Sequence, residues 1–404
     1  MLAELRLRFA TVAAAAPRAY WYVWWGTLIN RLGGFVVPLL TIYLTTARRL
    51  SVSEAGGIVA LFGAGQILAS QVGGQMSDRI GRRITMLVSL FGGAIAMLVL
   101  GFVRDLHAIA VMVCVVGFVG ELYRPAVLAF VADVIPPEHR VEAYGLLYWV
   151  INLGFAVAAA TGGLLADLDF RILFIADAVT MAAFGVIVMR KVPETRPAAL
   201  PKLERPIPSR SWIRDREFVV YVVIALVMSL LPQQTAAPLS AHMTWQGFSP
   251  AGYGLVLAFN GLLIILVQPL LTTWVARRDA SRVIAVAALL YGGGMAIHGL
   301  APNLGIHAMA VMVWTLGEIL ESPTRSALVA AMAPADARGR YQGALVLAWG
   351  CSTLLAPKLG TWIWEYESPH TLWFGCLGVA AIVAVALLVT APARRRRLGS
   401  SSAR

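Results

Sequence analysis

Long apolar runs separated by short charged punctuations dominate the chain. Twelve of them approach the roughly 20 residues that carry an α-helix across a bilayer. They run over residues 20–46, 54–76, 84–103, 107–132, 141–166, 172–189, 218–243, 251–276, 283–300, 306–333, 341–364 and 371–390. The runs are unbroken and do not alternate between apolar and polar positions, which excludes a membrane β-barrel. The pattern predicts an all-α integral membrane protein with twelve transmembrane helices.

Composition agrees: 59% of the 404 residues are apolar and only 13% are charged, against about 25% charged in soluble domains. Residues 1–17 carry Glu4, Arg6 and Arg8 without a small-residue cleavage site, so the first helix is expected to be retained. The net charge of +12 would suggest nucleic acid in a soluble protein, but here it sits in loops. Alternate loops and both termini hold 25 of the 33 basic residues, whereas the opposite loops hold Arg48, Arg49, Arg104 and Arg171. Positive charge marks the cytoplasmic side, so both termini are expected there. Lys191, Lys202 and Lys358 are the only lysines among many arginines. That bias, with abundant alanine and glycine, points to a GC-rich genome and a multi-pass protein of a bacterial cell inner membrane. The three cysteines lie in apolar runs without metal-ligand or disulfide spacing.

Apolar character disappears after Arg190, where five prolines alternate with basic residues. The chain also repeats itself. Val111-Met112-Val113, Gly120-Glu121 and Pro125 are echoed about 200 residues later by Val311-Met312-Val313, Gly317-Glu318 and Pro323, as in transporters built from two parallel halves. The expected organisation is an N-terminal six-helix half over 1–190, a basic linker over 191–216, a C-terminal six-helix half over 217–390 and a basic tail over 391–404.

Between the second and third runs stands Gly74-Gln75-Met76-Ser77-Asp78-Arg79-Ile80-Gly81-Arg82-Arg83, read here as a charged, glycine-rich turn. It resembles the G-x-L-[AS]-D-R-x-G-R-[RK] signature of the major facilitator superfamily at every position except Met76. Its second copy is degenerate, with Val275 where Asp78 would map. The resemblance covers nearly the whole chain and implies two pseudo-symmetric six-helix halves, with alternating access around a cavity lined by helices 1, 4, 7 and 10. It further implies a cytoplasmic gate of Gly74, Asp78, Arg79, Gly81, Arg82 and Arg83 with Asp133. Within the superfamily the chain resembles the twelve-helix drug:proton antiporters, through Asp133-x-x-Pro136 with Arg140 and through Asn152-Leu153-Gly154 leading to Gly162-Gly163. Ala158 and Ala159 replace the second Gly and the Pro of the antiporter motif on helix 5.

A charge at the bilayer centre costs about 2.5–3.5 kcal/mol even on insertion scales, so each one wants a partner or a task. Arg31 lies on helix 1, Glu121 and Arg124 on helix 4, and Glu318, Glu321 and Arg325 on helix 10. Spacings of three and four residues let Glu121 pair with Arg124, and Glu321 with Arg325. Arg31 and Glu318 are left to meet each other or a ligand. A static salt-bridge cluster is the plainer reading, but buried ion pairs are weak evidence for stability. Glu318, Glu121, Glu321 and Asp177 are therefore the proton-coupling candidates, with Asp177 placed behind the others because helix 6 is peripheral in the resembling fold. Asn30, Tyr148, Gln233, Gln234 and Trp349 are the substrate-cavity candidates, since an amphipathic ligand needs flat apolar faces and a few polar anchors. Trp21, Tyr22, Trp24 and Trp25 read as an interfacial belt.

No nucleotide-binding loop occurs. The expectation is a secondary transporter rather than an enzyme, without metal or other cofactor, driven by the proton gradient. Its partners would be a small-molecule substrate, protons and the lipid bilayer, with no nucleic acid, and the protein would act as a monomer. Efflux of lipophilic or cationic drug-like compounds leads. The alternative is proton-coupled symport, or uniport, of a nutrient such as a peptide or sugar.

Overall fold

The computed structural model describes residues 16–136, 139–195, 212–275, 278–333 and 338–402. Most of the expected linker lies outside the described residues, as do residues 1–15, Arg277 and the side chains of Arg338 and Arg340. Among the described residues there is no strand, and twelve helices are long and apolar enough to cross a membrane. They are α1 (Arg18–Ala47), α2 (Val52–Ile80), α3 (Arg82–Phe102), α4 (Leu106–Val134), α5 (Arg140–Leu168), α6 (Phe170–Lys191), α7 (Arg216–Trp245), α8 (Pro250–Val275), α9 (Ala280–His298), α10 (Leu304–Met332), α11 (Arg338–Tyr366) and α12 (Pro369–Ser402). The last continues as a helix beyond residue 390, where the sequence suggested a tail.

The chain gathers into two compact units, Met1–Ala198 with Ser240–Ile265, and Ala199–Leu239 with Leu266–Arg404. In the first, helices meet through small residues, which let backbones approach where lipid supplies no hydrophobic drive between them. On α2 and α4 the arrangement is reciprocal. A Cβ on Gly65 would lie 2.2 Å from the Cys114 carbonyl, and one on Gly117 would lie 2.3 Å from that of Phe62. A core of Tyr20 and Trp24 (α1), Met86 and Leu90 (α3), Tyr123 and Phe130 (α4), Leu147 (α5) and Phe184 (α6) fills the space between. This corrects the interfacial-belt expectation in part. Tyr20 and Trp24 point inward and donate to the carbonyls of Ala143 and Leu146 on α5, while Trp25 is 54% exposed.

Several spans are interrupted, each for a local reason. In α1 the helix breaks after Leu32 at Gly33-Gly34 and resumes at Val36, because Pro38 has no N–H to give the Gly34 carbonyl. In α4 the ladder opens at Leu122, three residues before Pro125. There the Ser89 hydroxyl of α3 enters the gap, donating to the Val119 carbonyl at 2.7 Å and accepting from the Tyr123 amide at 3.0 Å. A side chain inserted into the helical ladder is a recognised cause of a kink. In α7 a 3-10 turn at Pro232–Thr235 separates two helical pieces, next to two prolines, Pro232 and Pro238.

The signature segment departs from the expected turn. Helix α2 runs through Gly74, Asp78 and Arg79 to Ile80, and α3 begins at Arg82, so Gly81 alone is non-helical. Its φ of 109° and ψ of 159° belong to a region essentially restricted to glycine. A Cβ there would also stand 2.3 Å from a Glu194 carboxylate oxygen, whereas one on Gly74 would meet nothing within 4 Å. Gly81→Ala is therefore expected to destabilise the protein by about 1–3 kcal/mol. Gly74→Ala should change stability by no more than about 1 kcal/mol, toward stabilisation. Thermal unfolding of the two purified variants in one detergent checks the contrast, and equal midpoints would contradict it.

Candidate functional site

The break in α4 presents Tyr123, and the end of the first piece of α1 presents Asn30 and Arg31. All three meet at one phenol oxygen, which accepts from Arg31 Nη2 at 2.7 Å and from Asn30 Nδ2 at 3.2 Å. Asn30 and Tyr123 are buried. Gly154 on α5 makes room for the Arg31 stem, since a Cβ there would lie 2.4 Å from Arg31 Cβ. The nearby negative charges acting on Arg31 are those of Glu121 and Asp177. Arg31 Nε is buried and has no hydrogen-bond partner among the described residues. Glu121 pairs with Arg124 on its own helix and accepts from Gln66 Nε2 at 3.4 Å.

Asp177 is not peripheral. It is buried on α6 where α1 passes closest, a Cβ on Gly33 falling 3.1 Å from its Cα. Its carboxylate makes no hydrogen bond among the described residues. Of the acids in this unit's interior it thus has the fewest bonds to break on gaining or losing a proton.

In the second unit, Arg325 Nε bonds Glu321 at 3.1 Å, and its guanidinium lies 5.6 Å from the ring centroid of Trp349 on α11. Glu321 is buried. Tyr221 of α7 stands within the field of that pair, and Arg394 of α12 packs over its ring at 5.7 Å. Gln233 donates to Thr353 of α11. Gln234 is buried and donates to the Leu230 carbonyl at 3.0 Å, leaving its Oε1 without a partner among the described residues. Glu318 is half-buried on α10. Tyr148, on α5 of the first unit, and Trp349 both keep part of their ring surface open.

Arg82 of the signature segment also gathers partners. Arg82 is buried and bonds Asp133 at 2.9 Å, the Ser77 carbonyl at 2.9 Å and Asp78 at 3.3 Å. Asp133 accepts in addition from the Thr195 hydroxyl at 3.0 Å, whereas the Asp78 side chain remains 77% exposed. Glu194 caps the start of α3, accepting the amides of Arg82 at 2.8 Å and Arg83 at 3.2 Å, a favourable place for an anion at a helix N-terminus. In the degenerate second copy, Asp279 caps α9 through the Arg282 amide at 3.0 Å and bonds Arg395 at 2.9 Å. Its bond to Arg395 holds its carboxyl below the usual carboxylate range.

Sequence reasoning missed several of these groups. Tyr123 and Tyr221 were not singled out, although Tyr123 adjoins a charged helical face at Arg124. Glu194 had a signal, as an acid standing in a basic stretch. Arg394 was counted in the tail, yet it is buried and bonded to Ser281, Thr390 and the Leu387 carbonyl. His298 and His307 are wholly buried in the second unit, their Nδ1 atoms 2.8 Å apart, with Trp314 donating to His298 Nε2 at 3.3 Å. Among the described residues no three His, Cys, Asp or Glu side chains are grouped to hold a metal ion.

Comparison with known proteins places this architecture. The chain is 28% identical to the class C tetracycline resistance protein of Escherichia coli, over 85% of its own length and 87% of the relative's. It is 25% identical to a Na(+), Li(+), K(+)/H(+) antiporter of Planococcus maritimus, over 84% and 86%. A solved POT family transporter in complex with 5-aminolevulinic acid superimposes with a TM-score of 0.82 at 16% identity, covering 94% of this chain and 97% of that one, a likeness of fold. The sequence profile of the Major Facilitator Superfamily matches residues 23–241 and 217–404, so the chain is a multi-pass membrane transporter belonging to that superfamily.

Proposed function

We propose that this transporter works by alternating access and exports small lipophilic or cationic compounds in exchange for protons. The observation that carries the reading is the Arg31 site. A guanidinium is held by the Tyr123 phenol under the charges of two acids, with one buried donor unspent and one acid, Asp177, unbonded. In a membrane interior such a group is more readily explained as a proton or ligand station than as a brace. One relative is named for tetracycline resistance and the other as a cation/H(+) antiporter, and these names favour the leading reading. The excess of basic residues in the loops that alternate with Arg48, Arg104 and Arg171 supports cytoplasmic termini.

A second reading has its own observation. Arg31, Arg124 and Arg325 place three cations in the interior, which suits a solute bearing a carboxylate. That reading is proton-coupled import of a small nutrient.

On the leading reading Asp177 carries the coupling proton, with Arg31 restraining it, and Glu121 and Glu318 stand as competing carriers. Asp177→Asn is expected to abolish accumulation driven by a pH gradient in oriented vesicles while leaving substrate counterflow within about twofold, as separation of binding from driving force requires. If Asp177→Asn still concentrates substrate and Glu318→Gln or Glu121→Gln does not, the proton resides on that other acid.

Tyr123→Phe removes the oxygen shared by Asn30 and Arg31 and should cost about 1–3 kcal/mol of stability, the penalty for buried donors left unpaired. It should slow transport in both directions, measured as exchange at equilibrium. Unchanged exchange would remove Tyr123 from the site.

Expression in a bacterium lacking its own pumps is expected to raise tolerance to at least one lipophilic cationic dye or antibiotic, and Asp177→Asn to cancel the gain. Growth assays that show no gain, together with gradient-dependent uptake of a labelled peptide or sugar, would favour import.

A further inference from the structure

At the end of the first unit opposite Gly81, the ends of α1 and α3 and the start of α6 form a half-open pocket of about 490 Å³, within the range of roughly 300–1,000 Å³ typical of ligand sites. Its lining includes Arg48, Arg104 and Arg171. These are three of the four basic residues found in loops that otherwise carry few. Among the described residues the one acid on the lining is Asp169.

Three of the acids at this end are occupied as helix caps. Asp169 accepts the Arg171 amide at 2.8 Å, Asp105 the Ala108 amide at 2.8 Å, and Glu54 the Ser51 amide at 2.9 Å. Asp167, exposed on the last turn of α5, pairs with none of the three arginines. The guanidiniums of Arg104 and Arg171 accordingly make no hydrogen bond or ion pair among the described residues.

Arg48 is different, because it is fixed. Its Nε bonds the Tyr43 hydroxyl at 2.8 Å, its Nη2 bonds the Val103 carbonyl at 2.7 Å, and its guanidinium lies 5.4 Å from the Tyr43 ring centroid. Phe170 and Phe174 brace that ring at 5.5 and 5.2 Å. The backbone is also committed here: α1 ends in a π-helical turn at Tyr43–Ala47, and Arg49 has a φ of 58°. Strain of this kind persists where surrounding structure over-determines it, often at ligand sites. Phe102 lines the same cavity with 62% of its surface open.

We infer that this cavity binds a phosphate ester. Three guanidiniums approaching from three helix ends match the several oxygens of a phosphate, which arginine engages in forked pairs. The net positive lining selects an anionic group over a zwitterionic one, and exposed Phe102 gives an acyl chain an apolar path. The favoured source is the headgroup of an anionic phospholipid in the leaflet at this end, and a water-soluble phosphate is the other. The inference rests on membrane embedding alone and is independent of substrate and direction of transport.

The test uses the full-length protein in nanodiscs of phosphatidylcholine with or without phosphatidylglycerol, read by native mass spectrometry and thermal unfolding. A third arm adds inorganic phosphate to the phosphatidylcholine discs. Phosphatidylglycerol should be retained preferentially and should raise the unfolding midpoint. Arg104→Gln with Arg171→Gln should weaken retention about tenfold, the loss of roughly one charge-assisted hydrogen bond. Arg190→Gln with Lys191→Gln, an equal charge change at the other end of α6, should not. A midpoint shift with inorganic phosphate that the double variant removes, without preferential lipid retention, assigns the site to a soluble phosphate. Equal retention of both lipids, indifferent to the double variant and accompanied by no phosphate shift, overturns the inference.

Discussion

Inside a bilayer no water is present to satisfy a backbone amide or carbonyl, and each one left open costs several kcal/mol. Every irregularity in this protein has to be reconciled with that constraint. Uninterrupted apolar helices satisfy it trivially, which is why so much of the chain is monotonous. The informative places are where the ladder is broken deliberately, at Gly33-Gly34 in α1, at Leu122 in α4 and at Pro232–Thr235 in α7. Each break frees polar backbone and brings a polar side chain into the interior beside it. Ser89 shows how the debt is met in α4, one hydroxyl bridging the carbonyl and the amide that the helix itself no longer joins.

The charged groups follow from those breaks. Opening α4 turns Tyr123 toward Asn30 and Arg31, so the phenol becomes the anchor of a guanidinium that, among the described residues, has no carboxylate in direct contact. Arg31 and Asp177 then constrain each other through the field rather than through a bond, an arrangement that a proton or a ligand alters more easily than a bidentate pair. The second unit shows the intrahelical kind of pair that Glu121 and Arg124 also make. Glu321 and Arg325 are bonded on one helix, with Trp349 covering the cation. One cluster is loosely tied and the other closed, although both halves of the sequence carry the same Gly-Glu and Pro punctuation.

The signature segment joins a backbone constraint to an electrostatic one. Gly81 permits a turn of a single residue between two helices, and that brevity keeps Arg82 at the start of α3, where it is buried between Asp133 and the end of α2. Glu194 neutralises the exposed amides of the same helix start. The chain leaving α6 is thereby tied to α3, and the motif is completed by a residue about 110 positions away.

Much of this was legible in the chain alone. The twelve spans were, because crossing a membrane demands length and apolarity, which are local properties of composition. The acid–base pairs within α4 and α10 were too, since helical spacing fixes which side chains can meet. The interior role of Trp24 was not, because an aromatic near a helix end reads alike whether it faces lipid headgroups or the α5 backbone. Asp177 stood behind the other acids because helix 6 is peripheral in the resembling fold, and an acid in one apolar run gives no sign that another helix passes it as closely as α1 does at Gly33, which is a matter of packing. The arginines at 48, 104 and 171 stood out as exceptions in the charge pattern, yet only the convergence of three helix ends gathers them around one cavity. Composition and period determine what must lie in the membrane. Which side chains face one another is decided by contacts between segments far apart in sequence, and no local signal encodes those.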